Sequence, residues 1–316
     1  MKKVKLGQTD LHIAPVNLGG NVFGWTLNEK QSFEILDAFA DSGFNFIDTA
    51  DTYSFWAEGN SGGESETIIG KWFKERGNRS DIVLATKVGF ENGIRPADVS
   101  KATILKTVEE SLKRLQTDYI DLYYTHKDDG KTPVDETLEA HHQLVKEGKV
   151  RVIGASNLSP ENLIASLEYS KEKSASSYQV YQPLYNLVER KEFETDYAPI
   201  VAKYDLAVLP YYSLASGFLT GKYRSEADLG KSPRGGGAKS YLNPKGLAVL
   251  AALDNVAEKH NSTPATIALA WLLTRPNVAA PIASATSTDQ LKTITAAAEI
   301  TLDEQDVASL NEASSY

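Results

Sequence analysis

The chain contains no cysteine. That absence excludes a disulfide framework, a thiolate metal site and a cysteine nucleophile. Positive charge is also in short supply: 33 Lys and Arg face 42 Asp and Glu, a formal charge of −9. The acidic balance argues against nucleic acid as the main partner, because phosphate backbones are held by clustered cations. No apolar run approaches the roughly 18 residues of a membrane span, and the start, MKKVKLGQTDLHIAP, is interrupted by Gln8, Asp10 and His12 before an apolar stretch forms. It therefore does not read as a secretory signal, and the expected location is the cytoplasm. No G-x-G-x-x-G follows the first strands, so the phosphate fingerprint of the doubly wound dinucleotide fold is missing.

What is present is ordinary globular material: 316 residues, 41% hydrophobic and 24% charged. Short Ile/Val/Tyr/Phe-rich runs alternate with longer amphipathic ones. The candidate strands are Val16–Gly20, Phe44–Thr49, Ile82–Lys87, Tyr119–Tyr124, Arg151–Ala155, Tyr178–Gln182, Leu206–Pro210 and Ala279–Ala283. Between them, Glu29–Asp41 and Lys101–Leu115 carry apolar stripes of helical period. Ser159-Pro160 and Thr263-Pro264 read as N-caps with proline in the first turn, and Gly148 as the stop of a helix beginning near Pro133. Ser287–Gln290 and Thr301–Glu304 have the spacing of capping boxes. Strand–helix alternation of this length predicts right-handed βαβ units and an α/β fold, a closed (β/α)8 TIM barrel. Val4–Ile13 predicts an N-terminal β-hairpin at the barrel floor, and Lys231–Ser240, with its three glycines, a loop. With no linker in sight, residues 1–316 read as one domain.

In such a barrel, function collects at the C-terminal ends of the strands. Those ends carry Asp48 with Asp51 and Tyr53, Lys87, His126, Ser156-Asn157, Gln182, Tyr211-Tyr212 and Ser284. A lysine at a buried strand end must be paired or neutral, and Asp48 on the adjacent strand is a ready countercharge. A tyrosine beside that ammonium is expected to have its phenolate favoured and its pKa lowered, which suits a proton donor to a carbonyl. His126 is placed to orient the carbonyl. None of these groups supplies a hydride, so a cofactor is required. Histidines 141 and 142, on a helix, read as structural, and Arg190 as an ion-pair partner of Glu189, Glu192 or Glu194.

The segments GFNFIDTADTYS (43–54), LATKVG (84–89), DLYYTH (121–126), GKVRVIGASN (148–157), QPLYNLVER (182–190) and YYSLASGFLTGKY (211–223) occur in that order. Through them the sequence resembles the aldo-keto reductase superfamily over essentially its whole length. It is most similar to the bacterial members and the potassium-channel β-subunit-like branch. The resemblance implies reduction of aldehydes or ketones to alcohols by hydride transfer from a nicotinamide nucleotide. Tyr53 would be the general acid, Asp48 and Lys87 its partners, and His126 the substrate-orienting residue. Ser156, Asn157 and Gln182 would hold the carboxamide, Tyr211 would stack on the nicotinamide, and Leu214 and Lys222 would lie along the diphosphate. Arg234 belongs to the loop that folds over the cofactor.

NADP is the cofactor the family implies. At the adenosine end, however, Ile282-Ala-Ser284-Ala-Thr286-Ser287 carries hydroxyls where a cation is usual. Ser284, Thr286 and Gln290 can donate hydrogen bonds there without charge assistance, which leaves NAD or dual use open. Phe23, Trp25, Phe55 and Trp56 read as aromatic walls of a pocket for a small carbonyl substrate. No metal is expected, and the oligomeric state is not read from the sequence. Two alternatives remain. One is a nucleotide-binding regulatory or partner subunit with slow turnover; the other is a Schiff-base aldolase using Lys87.

Overall fold

A computed structural model describes residues 2–93 and 95–316. The first strands, β1 (Val4–Lys5) and β2 (His12–Ile13), pair antiparallel as a short hairpin. The barrel strands are β3 (Asn17–Gly19), β4 (Phe46–Asp48), β5 (Val83–Val88), β6 (Ile120–Thr125), β7 (Val150–Ser156), β8 (Val180–Gln182), β9 (Ala207–Val208) and β10 (Ile282–Ala283). They form one 8-stranded parallel sheet in the order β10-β3-β4-β5-β6-β7-β8-β9. The ring closes through backbone bonds from Ala279 N to Val208 O and from Ile282 N to Pro210 O, each 2.9 Å. This is the predicted (β/α)8 TIM barrel; β5 and β6 match the length of the apolar runs that announced them, β7 is longer, and the other barrel strands are shorter.

The helices follow their strands: α1 (Glu29–Asp41), α2 (Glu64–Arg76), α3 (Lys101–Leu115), α4 (Val134–Lys146), α5 (Pro160–Lys173) and α6 (Ala198–Tyr204) come after β3 to β8 in turn. A short turn α7 (Gly235–Ala238), then α8 (Pro244–Lys259) and α9 (Pro264–Leu273), come after β9; α10 (Thr288–Thr295) and α11 (Glu304–Ala313) come after β10. Their ends are set by local chemistry. Asn28 and Gln31 form a reciprocal box at the start of α1, and Ser159 and Thr263 cap α5 and α9 ahead of their prolines. Gly148 follows α4 with φ 72°, a backbone that glycine enters without strain.

Two departures from the sequence reading have physical causes. The predicted box at Thr301–Glu304 is displaced: Asp303 is the N-cap of α11 and exchanges hydrogen bonds with Asp306. Asp306 is held in place from α8 by Lys259 and His260, at 2.7 Å each. Lys231–Ser240 is not an open loop but winds into short helical turns. Its Gly235 serves close approach, since a Cβ there would lie 1.8 Å from Leu229 O.

Alternation along the strands sorts the core into two layers. Phe46, Val83, Ala85, Leu122, Tyr124, Val180 and Leu209 fill the barrel interior, closed below by Leu6, Leu11 and Ile13 of the hairpin. Ile47, Leu84, Tyr123 and Ile153 point outward into the layer under the helices. Asp48 and Lys87 continue the inward rows of Phe46 and Ala85, so both emerge at the top of the interior. Among the described residues no helix is long and apolar enough to cross a membrane.

Candidate active site

Lys87 ends the inward row of β5 and is completely buried. Its three ammonium protons have three acceptors. These are Asp48 Oδ1, in very close contact, Thr49 O at 2.7 Å and the Tyr53 hydroxyl at 2.9 Å. Asp48 takes a further bond from Gln182 Nε2 at 2.9 Å through its other oxygen. The Tyr53 hydroxyl also lies 3.4 Å from Asp48 Oδ1. A buried ion pair is tolerable only when its remaining hydrogen-bonding capacity is met, and here it is.

The electrostatics correct one expectation. Tyr53 is not pulled down toward neutrality. Burial first, and then the charge and hydrogen bond of Asp48, hold its phenol well above the ordinary value. Burial also lowers Lys87, against the opposing pull of Asp48. Proximity to a cation would favour the phenolate, but burial and the carboxylate of Asp48, 3.4 Å away, outweigh it. Tyr53 therefore stands protonated. His126 is pushed far below its ordinary value by burial, with Lys87 and Lys127 adding to the effect, so its ring is neutral. Its Nδ1 is buried without a partner, and its ring packs 4.7 Å from that of Phe90 and 6.2 Å from that of Tyr53.

Next to this set, a hydrogen-bonded chain crosses the strand ends. Tyr211 donates to Asn157 Oδ1 at 2.8 Å, and Asn157 Nδ2 donates to His126 O and Ser156 Oγ at 3.0 Å each. Ser156 in turn donates to Gln182 O at 2.8 Å. Leu214 precedes a left-handed run at Ala215, Ser216 and Gly217, φ 48°, 56° and 88°. Beyond it stand Lys222, whose Nζ lies 4.9 Å from the Tyr223 ring, and Arg234, whose guanidinium lies 5.5 Å from the Trp25 ring. Arg234 Nη2 is buried and unpartnered, and among the described residues neither cation has a carboxylate partner.

The remaining predicted residues lie around the rim. Ser284 donates to Asn21 Oδ1 at 2.5 Å. Gln290 Oε1 accepts from Thr286 N at 2.9 Å and from its hydroxyl at 3.0 Å, so only half of the Ser287 capping box forms. Trp25 and Phe55 meet Trp56 edge-on at 5.6 and 5.3 Å, and Trp56 reaches within 6.0 Å of Tyr53. Phe23 lies fully buried in the core under the helices. A cleft of about 570 Å³ around Glu189, Glu192 and Lys245 lies apart from this set.

Two structural readings are met. His141 is buried against Thr125 at 2.9 Å and pushed down to about 3 by burial, and Arg190 pairs with Glu194 at 2.9 Å. Sequence reasoning missed the support behind the strand ends. Ser65 of α2 bonds Thr49 Oγ1 at 2.8 Å, and Glu66 takes Thr86 at 2.6 Å and Arg114 at 2.7 Å. The available signal was an acid sharing the apolar face of Ile69 and Phe73 at helical spacing. Tyr212, 57% exposed over Tyr211, was also missed as a rim aromatic.

The sequence model of the aldo/keto reductase family matches residues 15–315. The oxidoreductase YrpG of Bacillus subtilis is 35% identical over 99% of this chain and 95% of its own. A probable voltage-gated potassium channel subunit beta of Arabidopsis thaliana is 32% identical over 92% of this chain and 89% of its own. The aldo-keto reductase yakc [NADP(+)] of Schizosaccharomyces pombe is 32% identical over 90% of this chain and 83% of its own. With the match spanning the whole barrel and every strand end just described, the chain belongs to the aldo/keto reductase family of oxidoreductases.

Proposed function

We propose that the protein reduces aldehydes or ketones to alcohols, with Tyr53 delivering the proton. The observation that carries this reading is one cluster in which the buried Lys87 bonds both the buried Asp48 and the hydroxyl of the half-buried Tyr53. A phenol kept protonated by its surroundings can release its proton when an alkoxide, a stronger base, forms beside it. Lys87 then stabilises the phenolate left behind, and Asp48 keeps Lys87 charged and aimed. The neutral His126 ring offers one N–H to the carbonyl oxygen, fixing which face of the substrate is presented.

A nicotinamide nucleotide fits the donor set. In a protein of charge −9, Lys222 and Arg234 stand without carboxylate partners beside a left-handed backbone run, which suits a diphosphate. When bound, such a nucleotide supplies the hydride that no side chain here provides. Ser156, Asn157 and Gln182 would meet its carboxamide by exchanging their mutual bonds, Tyr211 would stack on the ring, and Leu214 would line the diphosphate path. Ser284, Thr286 and Gln290 would take the adenosine end. The NADP(+) in the name of the Schizosaccharomyces pombe relative favours NADPH, while the uncharged adenosine end leaves NADH as the competitor.

The test is Tyr53→Phe, which keeps the ring and removes the proton. Turnover is expected to fall by about 10²–10⁴, the usual worth of a positioned acid, while NADPH titration by fluorescence stays near wild type. Retained turnover would sink the assignment. Similarity to the plant channel subunit favours a second reading, a nucleotide-binding partner subunit of slow turnover. Rapid steady-state oxidation of NADPH with a panel of aldehydes excludes it.

A further inference from the structure

Asp51 stands two residues before Tyr53, and its side chain is 2% exposed. Its Oδ2 accepts from Arg95 Nη2 at 2.9 Å, while its Oδ1 is buried without a partner. Arg95 comes from the segment 89–100 between β5 and α3, and its side chain is 42% exposed. Other charges face Asp51 from every side: Glu66 of α2, Arg114 of α3 and Lys87 of β5. The buried Tyr123 hydroxyl of β6 feels Asp51, Glu66 and Arg114. Glu66, Arg114 and Lys87 are committed elsewhere, Glu66 to Thr86 and Arg114, and Lys87 to Asp48. Arg95 is therefore the cation that directly answers Asp51.

The segment that Arg95 anchors faces the site. Its Phe90 ring lies 4.7 Å from His126, and a Cβ on Gly93 would lie 4.0 Å from the Phe55 ring. A second tie, Lys127 to Glu91 at 2.6 Å, holds its other edge. Arg95 is also tied to Asn92, its N–H donating to Asn92 Oδ1 at 2.9 Å and its carbonyl accepting from Asn92 N at 3.2 Å. Displacing Arg95 thus displaces the wall made by Phe90 and Gly93.

We propose that Asp51 and Arg95 are positioning residues for the reduction: paired, they hold residues 89–93 and Arg95 as a wall of the substrate pocket, and loss of the Asp51 charge releases it. The inference rests on the carbonyl-reductase reading. Burial and the neighbouring Glu66 push the Asp51 carboxyl up to about 7, against the pull of Arg95, Arg114 and Lys87. The carboxylate therefore dominates above that pH and the acid below it. A neutral carboxyl is a weak match for a guanidinium that already reaches water, so Arg95 leaves as pH falls. Substrate affinity changes, while proton delivery does not, because Tyr53 stays protonated across this range.

The experiment measures KM and kcat for an uncharged aldehyde at saturating NADPH from pH 6 to pH 8. The wild-type KM is expected to rise severalfold toward pH 6 with kcat nearly constant. Arg95→Met should give the high KM at every pH, Asp51→Asn the same flat profile, and Arg95→Lys partial recovery at pH 8. A flat wild-type KM, or a slope surviving in Arg95→Met, overturns the proposal. Amide hydrogen exchange of residues 89–100 without substrate tests the latch separately. Faster exchange at pH 8 in Arg95→Met than in wild type supports it; equal rates overturn it. If no carbonyl is reduced at all, the reductase reading fails, and the exchange result still decides whether the latch exists.

Discussion

At the tops of β4 and β5 the charges of Asp48 and Lys87 are answered inside the protein; past β10 the polar side chains answer mainly one another. Lys87 has three acceptors and Asp48 bonds on both oxygens, with both side chains buried and Tyr53 half-buried beside them. At the other end Thr286 and Gln290 are exposed and bond to each other, and Ser284 bonds to Asn21. The first region is preorganised: its donors and charges are aimed before any ligand arrives, so no reorganisation is needed at the moment of reaction. On the proposed reading the second would have to trade internal bonds for ligand bonds, with no charge to sharpen the exchange. Chemistry would then be built more rigidly than cofactor choice.

The largest effect should come from breaking the rigid end. Asp48→Ala leaves an ammonium buried without its countercharge and Gln182 Nε2 without an acceptor. Removing one partner of a buried pair costs about 3–5 kcal/mol, measurable by urea denaturation. Turnover should vanish even where the fold survives, because Lys87 is no longer held against Tyr53. Stability close to wild type would mean that the pair is far wetter than its burial indicates.

At the proposed adenosine end a gain is expected instead. Thr286→Arg places a guanidinium where hydroxyls now stand, and a charge-assisted bond to a 2′-phosphate contributes about 1.5–3 kcal/mol. The dissociation constant for NADPH should fall by about tenfold or more by the same arithmetic, while that for NADH stays put. An equal change for both nucleotides would show that position 286 does not face the 2′ position.

The same contrast explains what could be read without the structure. Asp48 and Lys87 were legible because each is a charge at the end of an apolar run, where period-two alternation fixes the side it faces. The barrel was legible from a different alternation, that of strand-like with helix-like segments, and its floor hairpin from the pattern of residues 4–13. The behaviour of Tyr53 was not: sequence identifies the cation beside a phenol but not how dry the site is, and burial decides the direction here. Glu66 escaped notice because its partner Arg114 lies 48 positions away. Asp303 displaced Thr301 as the cap of α11 because Lys259 and His260, distant in sequence, fix Asp306. The partner of Asp51 was not legible, since only folding brings Arg95 to it.

The smallest effect should come from repeating the Asp48 deletion in miniature at the soft end. Ser284→Ala removes the hydroxyl that donates to Asn21 Oδ1 at 2.5 Å. Asn21 is only partly buried, so water can replace the lost donor, and the cost should stay near the 0.5–1.5 kcal/mol of an ordinary neutral bond. Affinity for NADPH and NADH should weaken together by a small factor, because the hydroxyl carries no charge to distinguish them. Turnover at saturating cofactor should be untouched, since nothing in the Lys87 cluster leans on Ser284. A selective loss of NADPH binding would reverse the assignment, making Ser284 rather than Thr286 the contact to the 2′-phosphate and giving the soft end a discrimination that uncharged groups alone supply.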